Sequence, residues 1–269
     1  MVSQEQRRKQ LAREKRLRQQ ERREAARRRV RARNAVIAGT LAVVVAGGAV
    51  SYAAGAFDGD DANAQASSAP KDPCEKAAPG KVKPLSFKKE PALTIDKSAD
   101  YRMDLKTTCG DIGLDLDAAK APRTVNSFNF LVNKGYLDHT KCHRLTTGGI
   151  YVLQCGDPKG TGKGSPGYTI PDENLKDKRL KGNVYPAGTV AMANQYNAQA
   201  KKGRNTGGSQ FFLVYQDSQL PPDYTPFGTI SDSGMKVLKK IAAAGESTGQ
   251  GDGAPNATVV IDKATVTKS

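Results

Sequence analysis

Gly207-Gly208-Ser209-Gln210-Phe211-Phe212-Leu213-Val214-Tyr215 places two adjacent phenylalanines in a short apolar run behind a glycine-rich turn. Residues Gln210 to Tyr215 have the length and composition of a strand. Successive strand side chains leave on opposite faces, so Phe211 and Phe212 cannot both enter one core. The stretch also excludes a serine-hydrolase elbow, because Phe211 stands where G-x-S-x-G needs its last glycine. The chain has two histidines, His139 and His143. That is too few for a histidine-rich metal site, and it leaves little choice of partner for a serine nucleophile.

Outward from this run, Leu145 to Gln154 reads as a hairpin turning at Gly148-Gly149, and Val190 to Ala193 as another short strand. Tyr101, Met103 and Leu105 alternate before a turn at residues 107–111, and Ile112, Leu114 and Leu116 alternate after it, which is a hairpin pattern. Pro122 suits a first helical turn. Val125, Phe128, Leu131 and Val132 share one helical face, and Gly135 suits the C-terminal cap. Ser231-Asp232-Ser233 caps a second helix with Val237, Leu238 and Ile241 on its apolar face and Gly245 at its end. Thr258 to Ile261 reads as a closing strand. Many short strands with two helices imply a mainly β domain over 92–269, a barrel or sandwich capped by helices.

The N-terminal third is different. Of 42 basic and 27 acidic residues, 14 basic and 4 acidic lie in residues 1–34, so most of the net +15 sits in an arm rather than on the domain. That distribution argues against a uniformly basic nucleic-acid binder. Residues 1–33 read as a basic cytoplasmic arm, a topology signal that also suits contact with anionic lipid. Residues 34–57 carry no charge over 24 positions, enough for a transmembrane helix across the roughly 30 Å hydrocarbon core. A retained anchor fits this length better than a cleaved signal peptide, whose apolar stretch is shorter. Basic residues before the span and Asp58, Asp60 and Asp61 after it put the N-terminus in the cytoplasm and the domain outside the cell membrane. Residues 58–91, rich in Asp, Ala, Ser, Pro and Lys, read as a flexible linker.

Four cysteines are present. Cys142 and Cys155 flank the Leu145–Gln154 hairpin. A disulfide, free thiols and a zinc site completed by an imidazole are all open to them; an oxidising compartment favours the disulfide. Cys74 and Cys109 would then be the remaining pair. Gly160-Thr161-Gly162-Lys163-Gly164 lacks the spacing of a phosphate loop and reads as a surface loop.

One ordered set of blocks remains: His143-Arg144, Tyr151-Val152-Leu153-Gln154, Gly156-Asp157, Met192-Ala193-Asn194, residues 205–212 and Phe227-Gly228. Over residues 92–269 these resemble the cyclophilins, a class of peptidyl-prolyl cis-trans isomerases. With the arm and span, the chain is similar to membrane-anchored cyclophilins of actinobacteria. The resemblance implies an eight-stranded antiparallel barrel capped by two α-helices, no cofactor, and proline-containing polypeptides as substrates of a monomer. It implies catalytic roles for Arg144, for Gln154, which orients it, and for Phe212, the floor of a proline pocket. Tyr151 and Val152 fall on the pocket wall, with Leu220 and with Tyr224 where many members have His. Ala193 and Asn194 fall on the strand that pairs with the bound peptide, and His143 is structural.

The chain departs from the family pattern in several places. Two extra residues lie between Arg144 and Gln154. The changed wall motivates a second reading, a proline-peptide binding or chaperone module with little turnover. Residues 195–204 are longer and more basic than usual, a solvated loop or a preference for acidic substrates. The chain has no Trp, and Gln219 lies nearest the position of the family's frequent cyclosporin-contacting Trp. The missing Trp should therefore weaken cyclosporin binding and affect catalysis less; tight inhibition in a cyclosporin titration would overturn that expectation.

Overall fold

A computed structural model describes residues 72–269. The predicted arm (1–33), the predicted span (34–57) and the first part of the predicted linker lie outside the described residues. Among the described residues no helix is long and apolar enough to cross a membrane.

Among the described residues the first regular elements are the predicted hairpin, β1 (Tyr101–Thr107) and β2 (Gly110–Leu116), followed by α1 (Pro122–Asn133). Short strands follow: β3 (Thr140–Lys141), β4 (Arg144–Thr146), β5 (Val152–Cys155), β6 (Val184–Tyr185), β7 (Thr189–Met192), β8 (Phe211–Val214), β9 (Ser218–Gln219) and β10 (Pro226–Ile230). The described fold ends with α2 (Asp232–Ala243), β11 (Asp252–Gly253) and β12 (Val260–Lys268).

In place of eight strands, ten form one antiparallel sheet in the order β11-β4-β5-β8-β7-β10-β2-β1-β12-β3, and β6 pairs with β9 apart from it. The higher count comes from breaks in bent stretches. Only Cys142 and His143 separate β3 from β4. The Cys142 N–H donates to Val259 O at 3.0 Å and the His143 N–H to Gln154 O at 3.1 Å. Backbone pairing thus passes from β12 to β5 within two residues, tying one end of the strand order back toward the other.

Both helices form where their caps direct. Pro122 occupies the first turn of α1, and Gly135 follows its last turn at φ 72°, a conformation favouring glycine. The Ser231 hydroxyl accepts the Gly234 N–H at the start of α2. Helix α1 packs against the sheet through Phe128. Phe128 stacks on Phe227 with centroids 4.8 Å apart and meets Phe211 edge-on at 5.4 Å. All three rings are fully buried.

Residues 72–91 do not behave as the flexible linker expected there. Cys74 is disulfide-bonded to Cys109, the Glu75 N–H donates to Thr108 O, and the Ala78 N–H donates to the Asp262 carboxylate. Farther along, Phe87 packs edge-on against Phe130 at 4.8 Å, and its N–H donates to Pro166 O. Average composition hid these few anchors: one cysteine and two apolar side chains, Leu85 and Phe87, suffice when a preformed surface receives them. Cys142 and Cys155 are likewise joined by a disulfide.

Phe128→Ala removes the ring that two others pack against, so it should destabilise the fold by about 3–5 kcal/mol. Urea unfolding measures this; an unchanged midpoint would contradict the stacked aromatic core.

Candidate active site

Period-two alternation divides the apolar side chains between two clusters. On β8, Phe211 and Leu213 enter the main core, while Phe212 and Val214 face outward into a smaller cluster with Val152, Tyr185 and Ala191. On β5, Leu153 and Cys155 point inward. The pairing register then sets Arg144 opposite Gln154, Gln154 opposite Phe212, and Phe212 opposite Ala191. A cation, an amide and an aromatic ring thus stand in one row across β4, β5 and β8.

Arg144, Gln154 and Phe212 border a pocket of about 150 Å³. Val152, Leu220 and Tyr224 form its apolar wall, and Ala193 and Asn194 close one side. The Tyr224 ring stands edge-on to Phe212 at 5.5 Å. Tyr185, fully buried below, donates its hydroxyl to Tyr224 O at 2.6 Å and accepts the Tyr224 N–H at 3.1 Å, which anchors that wall. Asn194 is pinned by its own amide, donating to Asp223 O at 2.8 Å and accepting the Tyr196 N–H at 3.1 Å. A second cavity of about 140 Å³ adjoins on the far side of Gln154 and Ala193.

The Arg144 guanidinium donates through Nε and Nη2 to the two carboxylate oxygens of Asp252, each at 2.7 Å, and through Nη1 to Gln154 Oε1 at 3.1 Å. Asp252 raises the pKa of Arg144 and is itself held below the usual carboxylate range by it. His143, next in the chain, has both ring nitrogens buried with no hydrogen-bond partner among the described residues, and burial lowers its pKa. No group of three or more His, Cys, Asp or Glu able to hold a metal occurs among the described residues.

Residues 102–266 match the family model for cyclophilin type peptidyl-prolyl cis-trans isomerase/CLD. The chain belongs to the cyclophilin family. It is 48% identical over 189 residues to the probable peptidyl-prolyl cis-trans isomerase B of Mycobacterium leprae, covering 67% of this chain and 60% of that one. To its Mycobacterium tuberculosis counterpart it is 45% identical over 188 residues, covering 67% and 58%. This chain thus spans about three fifths of the length of these relatives. A Cryptosporidium parvum cyclophilin type peptidyl-prolyl cis-trans isomerase, solved in the presence of the dipeptide Ala-Pro, is 28% identical with a TM-score of 0.51, covering 62% of this chain and 99% of that one.

This cyclophilin differs from the sequence expectation at the pocket wall. Tyr151 does not border the pocket; Ile150 does. Ile150, Val152 and Gln154 share the outer face of the β5 stretch, whereas Tyr151 packs against the main core and meets Tyr215 edge-on at 6.0 Å. Strand alternation puts Ile150 and Val152 on the wall and turns Tyr151, between them, toward the core. The basic loop 195–204 also uses its arginine internally. Arg204 pairs with Asp223 and lies over the Tyr196 ring at 3.6 Å. Lys201 and Lys202 remain exposed. The glycine-rich loop after Asp157 wraps a carboxylate of the chain itself, with the Thr161 N–H donating to Asp157 at 2.9 Å.

Sequence reasoning missed Asp252, Tyr185, Ile150 and Gln210. Asp252 lies 108 residues from Arg144 and Tyr185 39 from Tyr224, with no local motif to announce either contact.

The depressed pKa of Asp252 has a defined sign. The pair contributes above the unfolded carboxylate value and is lost as pH falls through the lower folded value. In Arg144→Ala the Asp252 carboxyl should titrate at higher pH than in the wild type. Carbon-detected NMR titration checks this, and coincident curves would mean the pair does not form in solution.

Proposed function

We propose that this cyclophilin catalyses cis-trans isomerisation of X–Pro bonds, and the observation that carries the reading is the row Arg144–Gln154–Phe212 beside an apolar pocket. The X–Pro bond differs by only about 0.5–1 kcal/mol between isomers, but amide resonance sets a barrier of about 18–20 kcal/mol. Lowering that barrier needs no nucleophile, metal or cofactor. It needs a site that binds the twisted amide better than the planar one. At the twist, conjugation is lost and the prolyl nitrogen gains lone-pair character. Arg144 presents a fixed cationic donor toward it, Gln154 holds that donor, and the Phe212 floor receives the pyrrolidine ring. Val152, Ile150, Leu220 and Tyr224 exclude water, which strengthens the electrostatic contribution. Ala193 and Asn194 offer backbone to the substrate chain. His143, whose ring nitrogens are buried and unpartnered, suits a structural role rather than that of a general base.

In this reading the domain works outside the cell membrane on exported or cell-envelope polypeptides. The uncharged stretch 34–57 anchors it, the basic arm stays in the cytoplasm against anionic lipid, and the protein is a monomer. The charge asymmetry and the two disulfides, suited to an oxidising compartment, support this placement.

Isomerisation of a short X–Pro peptide by the purified full chain tests the activity. Arg144→Ala should lower kcat about a hundredfold or more while the circular dichroism stays unchanged. A folded wild-type chain that binds the peptide without accelerating its isomerisation would favour the binding-module reading instead.

A further inference from the structure

The guanidinium of Arg144 is held from two sides by residues outside the row. On one side Asp252 takes Nε and Nη2 in a side-on pair. On the other, a chain of amides fixes Gln154: its Nε2 donates to Gln210 Oε1 at 2.9 Å, and Gln210 Nε2 donates to the carbonyls of Gly162 at 3.0 Å and Gly164 at 2.9 Å.

The polarity of that chain is forced. Backbone carbonyls only accept, so Gln210 must turn its NH2 to the loop and its oxygen to Gln154. Gln154 must then turn its NH2 to Gln210 and its oxygen to Arg144, where a donor waits. The loop supplying the two carbonyls is itself tied down by Asp157, which is fully buried and accepts the Lys159 N–H at 2.8 Å. Three of the five guanidinium N–H groups are thereby engaged, leaving one on each terminal nitrogen as the donors available to a bound amide.

We propose that Asp252 and Gln210 are positioning residues that together fix the orientation of Arg144 for the isomerisation proposed above, on which this inference rests. Asp252 borders neither the Phe212 pocket nor the adjoining cavity and acts through Arg144; Gln210 borders the adjoining cavity and reaches Arg144 through Gln154. The Arg144 and Asp252 side chains are 39% and 54% exposed, and a pair so wet adds little to stability. Its contribution is geometric: a flexible cation becomes one with a fixed direction, and misplacement of a reacting group by about 1 Å can cost a hundredfold in rate.

The test uses the full chain with Asp252→Ala, Asp252→Glu and Gln210→Glu. The last is nearly isosteric but cannot donate to Gly162 and Gly164. Asp252→Ala and Gln210→Glu should each lower kcat about tenfold with KM changed far less, and Asp252→Glu should recover most of the loss. In parallel, the Arg144 Nε–H resonance of arginine-labelled protein should exchange slowly in the wild type and be lost in Asp252→Ala. Wild-type kcat in either disrupting variant overturns the proposal, as does an Arg144 Nε–H signal indifferent to Asp252. If wild type catalyses, Arg144→Ala does not and these variants turn over normally, the isomerase reading stands and the positioning chain falls. If the wild-type chain isomerises no peptide, the isomerase reading falls, and the Arg144 resonance still decides whether Asp252 holds the guanidinium.

Discussion

Register between β4, β5 and β8 governs the site. Side chains on a strand alternate, so sliding β5 by one residue would carry Gln154 inward and bring Leu153 to the groove. Three features resist that slip. The Cys142–Cys155 disulfide bridges the two stretches immediately outside the Arg144–Gln154 pair. Gly149, at φ 78°, fits the tight tip of the hairpin between them. Phe211, locked against Phe128, fixes the phase of β8, so Phe212 has only the outer face left to occupy. The position of the ring in the groove is thus a consequence of how its neighbour packs in the core.

How much of this could be read from the chain follows from the range of each interaction. The split between Phe211 and Phe212, the β1–β2 hairpin and both helix caps depend on spacings within about ten residues, and these were legible. The strand at Pro226–Ile230 was not, because it opens with a proline and its pairing partners Ala191 and Leu116 are remote. At the site, Arg144, Gln154 and Phe212 were found through the family resemblance rather than through spacing. Ile150 was missed because the resemblance put Tyr151 on the wall beside Val152, whereas alternation gives that face to Ile150. Asp252 was missed because its contact with Arg144 spans 108 residues.

The strap of residues 72–91 shows the same limit from the other direction. A polar, proline-rich composition predicts too little buried surface to order a free segment, and for a free segment that reasoning holds. Here the receiving surface already exists. The strap needs only to bury Leu85 and Phe87 and to close the bond to Cys109, which cuts the freedom of the unfolded chain. Order in such a segment belongs to the surface it meets, and in its own sequence only Cys74 points to the tether.

The two clusters therefore carry different burdens. The inner one, around Phe128, Phe211 and Phe227, is closed on all sides and supplies stability. The outer one, around Val152, Ala191, Phe212 and Tyr185, is open at the pocket and leaves part of its apolar surface for a ligand. Because both are built from the same strands, substitutions at alternate positions should separate the two properties: inward residues tune how firmly the sheet holds, and outward residues tune what it binds. Arg144 is where the two meet. Its backbone belongs to β4, while its guanidinium is bonded by Asp252 of the neighbouring strand β11 and, through Gln154 and Gln210, linked to the loop after Asp157. A sheet of this kind can keep its core and register fixed while the edge strand β11 and the loop after Asp157 vary around Arg144.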